Sequence, residues 1–395
     1  MAAAVLVDVV RTAIGARHGG LSGWHPADLT ASLLVALAER SALDPALVED
    51  VLVGCATQYG DQAANVARSA VLAAGWPEAV PAATVDRQCA SSQQAVHLAA
   101  QGVLAGAYDV VVAAGVECMS TTPPGSTITL GSRPFGPGVL ERYADAGGLL
   151  PPGASAELVA QRWSLTRADL DAYAATSHTR AAAAAAEGRF DREIVGVAAR
   201  IRDRDTGQLV TPASTVARDE LVGRDPASLG DLKPAFDPAG AVTAGNSAPA
   251  GDGAAAALIM SEERAARLGL AVRARFVSFA VAAGDPLEAF TATVPATARA
   301  LERAKLALGD VDVVEVNEAF APAVLAWAHE TGADLSRVNP NGGAIALGHP
   351  FGCTGVRMLA TLVHELERGG GRYGLQAVAA TGGLATAMVV ERVPA

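Results

Sequence analysis

The sequence predicts an α/β protein in which helices cover largely buried sheets. Three observations carry this expectation. Short β-branched runs alternate with longer Ala/Leu-rich helical patterns along most of the chain. Two distant stretches repeat one order of loop, helix, glycines, strand and glycine. Between them, residues 119–245 form a region of different character, rich in Pro and Gly at first and helical later.

The opening run Val5–Val9 is apolar, is interrupted by Asp8 and is soon followed by Arg11, so it reads as a buried strand and not a signal peptide. A helix is expected over Pro26–Ser41, a strand over Val51–Val53, and helices over Ala63–Ala74 and Ala90–Ala105, followed by a strand at Val110–Ala114. A long helix over Thr166–Glu187 opens on Thr-Arg-Ala-Asp and ends before Gly188, which supplies an N-cap and a stop. Then come a strand at Ala255–Met260, a helix at Ser261–Leu268, a strand at Arg275–Val281 and a helix at Val294–Leu306. The chain closes with a strand at Val311–Val316, a helix at Glu318–Glu330 and strands at Gln376–Ala380 and Ala387–Glu391.

The repeat is specific enough to locate. Cys89 and a helical run lead to Gly106 and the strand Val110-Val111-Val112-Ala113-Ala114-Gly115. Gly352 and the run Val356, Leu359, Val363, Leu366 lead to Gly369-Gly370-Gly371 and then Ala377-Val378-Ala379-Ala380-Thr381-Gly382. A duplicated unit of this kind would bring Cys89 and the loop after the second strand to one cleft near a pseudo-twofold axis.

Composition bounds the partners. With 395 residues, 51% hydrophobic and 18% charged, the chain can bury one large core or two coupled ones. Aromatics are only 4%, so packing must rely on Ala, Val and Leu. A formal charge of −11 argues against a general affinity for nucleic acid or anionic membrane. Cysteines 55, 89, 118 and 353 form no CxxC pair, which fits neither a zinc site nor a disulfide framework and suits a reducing cytosol. No uncharged apolar run approaches bilayer length, so a soluble, cytoplasmic protein is expected.

Cys89 stands in Asp86-Arg87-Gln88-Cys89-Ala90-Ser91-Ser92, at a strand-to-helix turn. Free cysteines are usually buried small hydrophobes; these polar neighbours argue otherwise. A thiol at a helix N-terminus faces unpaired N–H groups, which lower its pKa and can hold an oxyanion. His349 lies in Asn341-Gly342-Gly343-Ala344-Ile345-Ala346-Leu347-Gly348-His349-Pro350, where glycines let backbone approach a ligand. A cysteine nucleophile and its histidine base meet in space and need not be close in sequence. His97, His178 and His364 fall on helical patterns and read as structural. Asn317 ends a strand and opens a helix; on that segment alone it reads as an N-cap, the other reading being an amide that orients a water or polarises a carbonyl. The glycine-rich turn Gly245–Gly253 could contact a phosphate-bearing ligand, but it is neither a Walker nor a Rossmann fingerprint.

Together these segments resemble the thiolase family of acyl-CoA C-acyltransferases. The matching runs are Val9-Val10-Arg11-Thr12-Ala13-Ile14-Gly15, Gln88-Cys89-Ala90-Ser91-Ser92, Ala114-Gly115-Val116-Glu117-Cys118-Met119-Ser120, Thr243-Ala244-Gly245-Asn246-Ser247, Asp252-Gly253-Ala254-Ala255, Asn317-Glu318-Ala319-Phe320-Ala321 and Gly348-His349-Pro350. They span nearly the whole chain in the family's order. The resemblance implies a thiolase-like five-layer αβαβα fold with two similar halves and an inserted loop domain. The boundaries expected are 1–118 with 246–268 for the first half, 119–245 for the insertion and 269–395 for the second half.

By the same resemblance, Cys89 is the cysteine that is acylated, His349 the base that activates it and lines one oxyanion hole, and Asn317 the residue that holds a water there. The backbone N–H groups of Cys89 and Thr381 make the second hole. Ser247, Ala319 and Phe320 fall in segments that line the pantetheine tunnel, and Arg224 resembles an arginine near the adenine. Coenzyme A or acyl-CoA is then substrate, no metal or permanently bound cofactor is implied, and a homodimer or homotetramer is expected.

The sequence departs from the family at one telling place. The usual final motif, Cys-x-Gly-Gly-Gly, carries a second acid/base cysteine, and Ala379 stands at its position, followed by Ala380, Thr381, Gly382 and Gly383. Leu384, Ala385, Pro152, Leu158 and Thr291–Thr293 also differ from the usual pattern. Losing a general acid/base costs about 10²–10⁴-fold in rate. Thiolase-type acyl transfer is therefore weighed against acyl transfer or thioester hydrolysis without C–C chemistry, and against a non-catalytic acyl-CoA-binding subunit. Intact Cys89, Asn317 and His349 speak against the last.

Overall fold

The computed structural model describes residues 3–128 and 134–394; residues 129–133 fall within the expected insertion and lie outside the described residues. Nine strands of four residues or more are found among them. In chain order they are β1 (Ala4–Thr12), β2 (Asp50–Gly54), β3 (Ala82–Val85), β4 (Val110–Cys118), β5 (Gly251–Ser261), β6 (Ala274–Ala283), β7 (Val313–Val316), β8 (Tyr373–Ala380) and β9 (Leu384–Arg392). Their spatial order is β7-β8-β9-β6-β1-β5-β4-β2-β3. The two halves touch through a short β1–β6 seam, in which Val5 pairs with Arg275 and Leu6 with Ala274.

The halves share one pairing pattern. In the first, β2 is parallel to β4, and β4 to β5 and β5 to β1 are antiparallel. In the second, β7 is parallel to β8, and β8 to β9 and β9 to β6 are antiparallel. Beyond β2 the first half adds β3 in parallel; beyond β7 the second half has, among the described residues, the single parallel bridge of Val314 with Val338. The repeat read from the glycines is thus a repeat of topology.

Helices α1 (Pro26–Arg40) and α2 (Val66–Ala73) cover one face of the first sheet, while α6 (Thr293–Ala304), in contact with α7 (Ala321–Thr331), covers the outer face of the second. Between the sheets lie α3 (Ser91–Leu104) and α8 (Thr354–Gly369), each packed on strands and on one another. This is the five-layer arrangement. A sheet covered on both faces reads as a continuous apolar run, and β4 and β5 are buried at every residue.

Glycine sets how closely the central helices approach. A Cβ at Gly115 would lie 2.2 Å from the Gly352 carbonyl oxygen, and one at Gly355 would lie 2.2 Å from the Gln93 nitrogen. The starts of α3 and α8 are thereby pressed against β4 and against each other. Those are the two ends that follow Cys89 and His349.

Between β4 and β5 the chain forms α4 (Pro152–Arg162), α5 (Arg167–Ala186) and short ribbons, Val197–Ala198 with Thr215–Val216 and Ile201–Arg202 with Leu209–Val210. The expected capping of α5 is present, as a reciprocal box of Thr166 with Asp169. Some expectations need correction. Strand β3 and helix α4 were not among the elements read from the sequence; β3 is short, and its alanines match helical and strand patterns alike. Helix α2 begins at Val66 because Asn65, in the left-handed region at φ 58°, caps it. Helix α7 begins at Ala321, so residues 317–320 precede it. Among the described residues no helix is long and apolar enough to cross a membrane.

Candidate active site

The turn between β3 and α3 carries Cys89. Its shape is fixed by its own polar residues. Gln88 takes φ 50°, the left-handed region that non-glycine residues seldom adopt. The Asp86 carboxylate accepts from the Gln88 backbone N–H (2.7 Å) and from its side-chain Nε2 (3.2 and 3.3 Å). Ser91 Oγ accepts from the Arg87 N–H at 2.9 Å and donates to the Gln88 carbonyl at 2.5 Å. Cys89 emerges nearly buried, among Ala90, Met358, Val378 and Ala380, with Phe351 and Leu384 beside them.

The thiol is not the depressed one that its place at a helix start suggested. Burial, with Glu117 and then Asp86 adding repulsion, pushes it up to about 12, while hydrogen bonds from the backbone N–H groups of Cys89 and Thr381 act the other way. Desolvation outweighs the helix end here. The resting group is a thiol and needs a base.

His349 follows Gly348, whose φ of 103° turns the chain inward, and its backbone N–H donates to the Pro249 carbonyl at 2.9 Å. The Thr354 hydroxyl donates its one proton to the Pro350 carbonyl (3.0 Å), so the 2.7 Å contact of His349 Nδ1 with Thr354 Oγ1 places the ring proton on Nδ1. Nε2 then holds a lone pair, which accepts from the Asn317 amide Nδ2 at 3.3 Å. Burial, then the charge of Arg357, drives the imidazole down to about 3, so it is neutral at physiological pH. The Phe351 ring meets the His349 ring edge-on at 4.9 Å and also packs in the Cys89 cluster, so the two residues share one neighbour.

Asn317 is not an N-cap. Helix α7 is capped at Phe320, and Asn317 sits at the end of β7, its N–H donating to the Ala377 carbonyl at 3.0 Å. The side chain is buried, and its Oδ1 has no partner among the described residues. Ser247, Ala319 and Phe320 are brought to the same place. Ser247 bridges Phe320, the Ala248 N–H donates to the Ala319 carbonyl (3.0 Å), and the Phe320 ring lies 5.2 Å from that of Phe290. The next residues of that segment hold His349 through Pro249. Arg224 is not gathered in: it is exposed and makes no hydrogen bond or ion pair among the described residues. Ala379 is buried on β8 opposite Ala385, two residues before Thr381.

Two buried carboxylates that sequence reading passed over hold this geometry. Glu117 accepts from the N–H groups of Ala56 (3.0 Å), Thr57 (3.1 Å) and Gly352 (2.8 Å) and from Gln62 Nε2 (2.7 Å). Glu318 accepts from Tyr173 Oη (2.9 Å), Ser177 Oγ (2.7 Å), Asn339 Nδ2 (3.0 Å) and the Ile345 N–H (3.1 Å), tying helix α5 to the segment before His349. The signal for both was an acidic residue inside an apolar run, which a fold buries only when it is bonded.

This fold and this gathering of a cysteine, a neutral histidine and an asparagine amide define a class, and comparison with known proteins agrees. The models for the thiolase N-terminal and C-terminal domains match residues 4–263 and 270–392. The chain belongs to the thiolase family and is an acyltransferase. Similar proteins include a steroid 3-ketoacyl-CoA thiolase of Mycobacterium tuberculosis, 43% identical over 99% of this chain and 95% of the relative. A 3-ketoacyl-CoA thiolase of Vibrio cholerae is 41% identical over 98% of this chain and 99% of the relative. The crystal structure of the Bacillus anthracis acetyl-CoA acetyltransferase superposes with a TM-score of 0.87 at 36% identity, over 100% of this chain and 99% of that one.

Proposed function

We propose that the protein transfers an acyl group between carbon and the thiol of CoA through an acyl-Cys89 intermediate, with acyl-CoA or 3-ketoacyl-CoA of the fatty-acid or steroid type as donor. The observation that carries this is the lone pair on His349 Nε2, held by the Asn317 amide in a neutral, buried ring. His349 Nε2, its single lone pair released from the Asn317 amide, takes the proton of Cys89 Sγ–H, and the thiolate attacks the 3-keto carbon. The backbone N–H groups of Cys89 and Thr381, which favour negative charge on the sulfur, stabilise the oxygen as it gains charge. The C2–C3 bond then breaks, and the released acetyl-CoA enolate takes a proton, for which His349 is the donor. In the second half His349 accepts the proton of the CoA thiol, CoA attacks the acyl-Cys89 carbonyl, and Cys89 leaves and is reprotonated.

Ser247, Ala319 and Phe320 are assigned to the pantetheine and Arg224 to the nucleotide end, whose anionic groups suit an exposed, unpaired guanidinium. A cytoplasmic homodimer or homotetramer is the assembly that fits the family. A second reading is favoured by Ala379, which offers no proton: the acyl group on Cys89 passes to water, an amine or an alcohol and no C–C bond is made or broken.

Intact mass after incubation with acetyl-CoA and longer acyl-CoAs, with Cys89→Ala as control, tests the shared step. Loss of 3-ketoacyl-CoA in the presence of CoA then separates the readings. An adduct with C–C cleavage supports the first, and an adduct without it the second. No adduct on any acyl-CoA removes both.

A further inference from the structure

We propose that Gln88 and Thr381 form a latch between the two halves that positions the Thr381 backbone N–H on the reacting centre; this rests on the acyl-Cys89 reading above. Thr381 follows the end of β8 and precedes Gly382 and Gly383, both in the left-handed region at φ 79° and 73°. A donor on the edge of such a turn needs an anchor, because glycine leaves the backbone many conformations. The anchor is side-chain to side-chain: Thr381 Oγ1 donates to Gln88 Oε1 at 3.1 Å, across 293 residues of chain.

The amide of Gln88 has only one way round. Its Nε2 is committed to both oxygens of the Asp86 carboxylate, so Oε1 is the end presented to Thr381. The left-handed turn at Gln88, fixed by its own N–H on Asp86, aims the side chain while the next residue aims the sulfur. Asp86, Gln88 and Thr381 are therefore one chain of contacts, and its last member carries the N–H assigned above to the oxygen that gains charge at Cys89. The residue type matters: with glycine at position 381 the N–H would remain and the latch would not. Gln88 and Thr381 are positioning residues; the group that touches the substrate oxygen is the backbone N–H.

The test compares two reactions of the same thiol. Acylation by acyl-CoA develops an oxyanion, whereas alkylation by iodoacetamide at sulfur does not. Thr381→Val keeps the shape and removes the hydroxyl. We expect its single-turnover acylation, followed by intact mass, to slow about 10- to 100-fold, less than for deletion of a whole oxyanion donor, with alkylation changed no more than about threefold. Thr381→Ser restores acylation, and Gln88→Met reproduces the loss from the other side of the latch. Acylation of Thr381→Val at the wild-type rate overturns the latch. So does an equal fall in acylation and alkylation, which marks a general collapse of the Cys89 turn. A wild-type protein that alkylates at Cys89 but takes no acyl group from any acyl-CoA overturns the acyl-cysteine reading and the latch with it.

Discussion

The Asn317 amide donates to His349 Nε2 across 3.3 Å, joining the end of a strand to a loop 32 residues further on. That contact leaves Asn317 Oδ1 buried and without a partner among the described residues, an arrangement that costs stability and leaves an acceptor free for a bound ligand or water. Asn317→Asp should place a carboxylate against the ring, favour the imidazolium and remove the base. Steady-state turnover is expected to fall about 10²–10³-fold, as for loss of an oxyanion-stabilising group, with little change in melting temperature. Wild-type turnover by this variant would sink the assignment.

Ala379 invites the reverse experiment. Ala379→Cys adds a thiol beside the Thr381 turn, at a buried position that faces Ala385. If the missing acid/base limits C–C chemistry, loss of 3-ketoacyl-CoA should rise by up to about 10²-fold, the scale of such catalysis. An unchanged rate, with the variant folded, would show that His349 already serves both proton transfers.

Glu117 serves four donors and also repels negative charge on Cys89. Glu117→Gln sets an NH₂ group among donors, so about 1–3 kcal/mol of stability should be lost. The same change removes a charge that raises the thiol, so iodoacetamide should react faster with Cys89 at pH 8. Denaturant unfolding and alkylation kinetics read the two effects separately; slower alkylation in a folded variant would contradict the electrostatic assignment.

Glu315 lies fully buried with neither oxygen partnered among the described residues, and burial pushes it up to about 8, with Arg357 opposing. In the unfolded chain a glutamate ionises near its ordinary value of about 4.3. Between there and about 8 the unfolded chain has lost the proton that the folded one keeps, so this group's contribution to stability declines as pH rises through that window. Glu315→Gln is neutral throughout. Its melting temperature relative to wild type should climb from pH 5 to pH 8, and a difference that stays flat would refute the burial argument.

His97 and His349 act in the opposite sense. Both are driven by burial, then by an arginine charge, to about 3. Below about 6.5, where an unfolded histidine gains its proton, folding must exclude that proton, so their contribution falls as pH drops from 6.5 towards 3. His97→Phe, next to the Phe279 ring at 5.1 Å, should flatten part of the loss of stability seen by calorimetry between pH 7 and 4.5. An unaltered slope would show that His97 carries none of it.

Much of the fold is legible in the chain. Strands such as Val110–Cys118 and helices such as Arg167–Ala186 follow from β-branched runs, capping residues and terminal glycines, which are local properties. Ala82–Val85 was not legible, because a four-residue strand at a sheet edge is defined by its pairing with Val51–Gly54 and hardly by its own composition. Cys89, His349 and Asn317 could be singled out as residue types in unusual surroundings, but Asn317 alone read as a cap. Only its distance from the start of the Ala321–Thr331 helix and its bond to His349 show otherwise.

Most of the elements, the duplicated pattern and the chemical groups available are set by the sequence alone, since these depend on propensities and neighbours within a few residues. Tertiary structure alone decided the protonation states. Cys89 looked acidified by its helix, yet the Glu117 carboxylate and the loss of water reverse the direction, because solvation and Coulomb energies depend on what is near in space. It also decided that Gln88 and Thr381 would meet, 293 positions apart, which no local rule encodes.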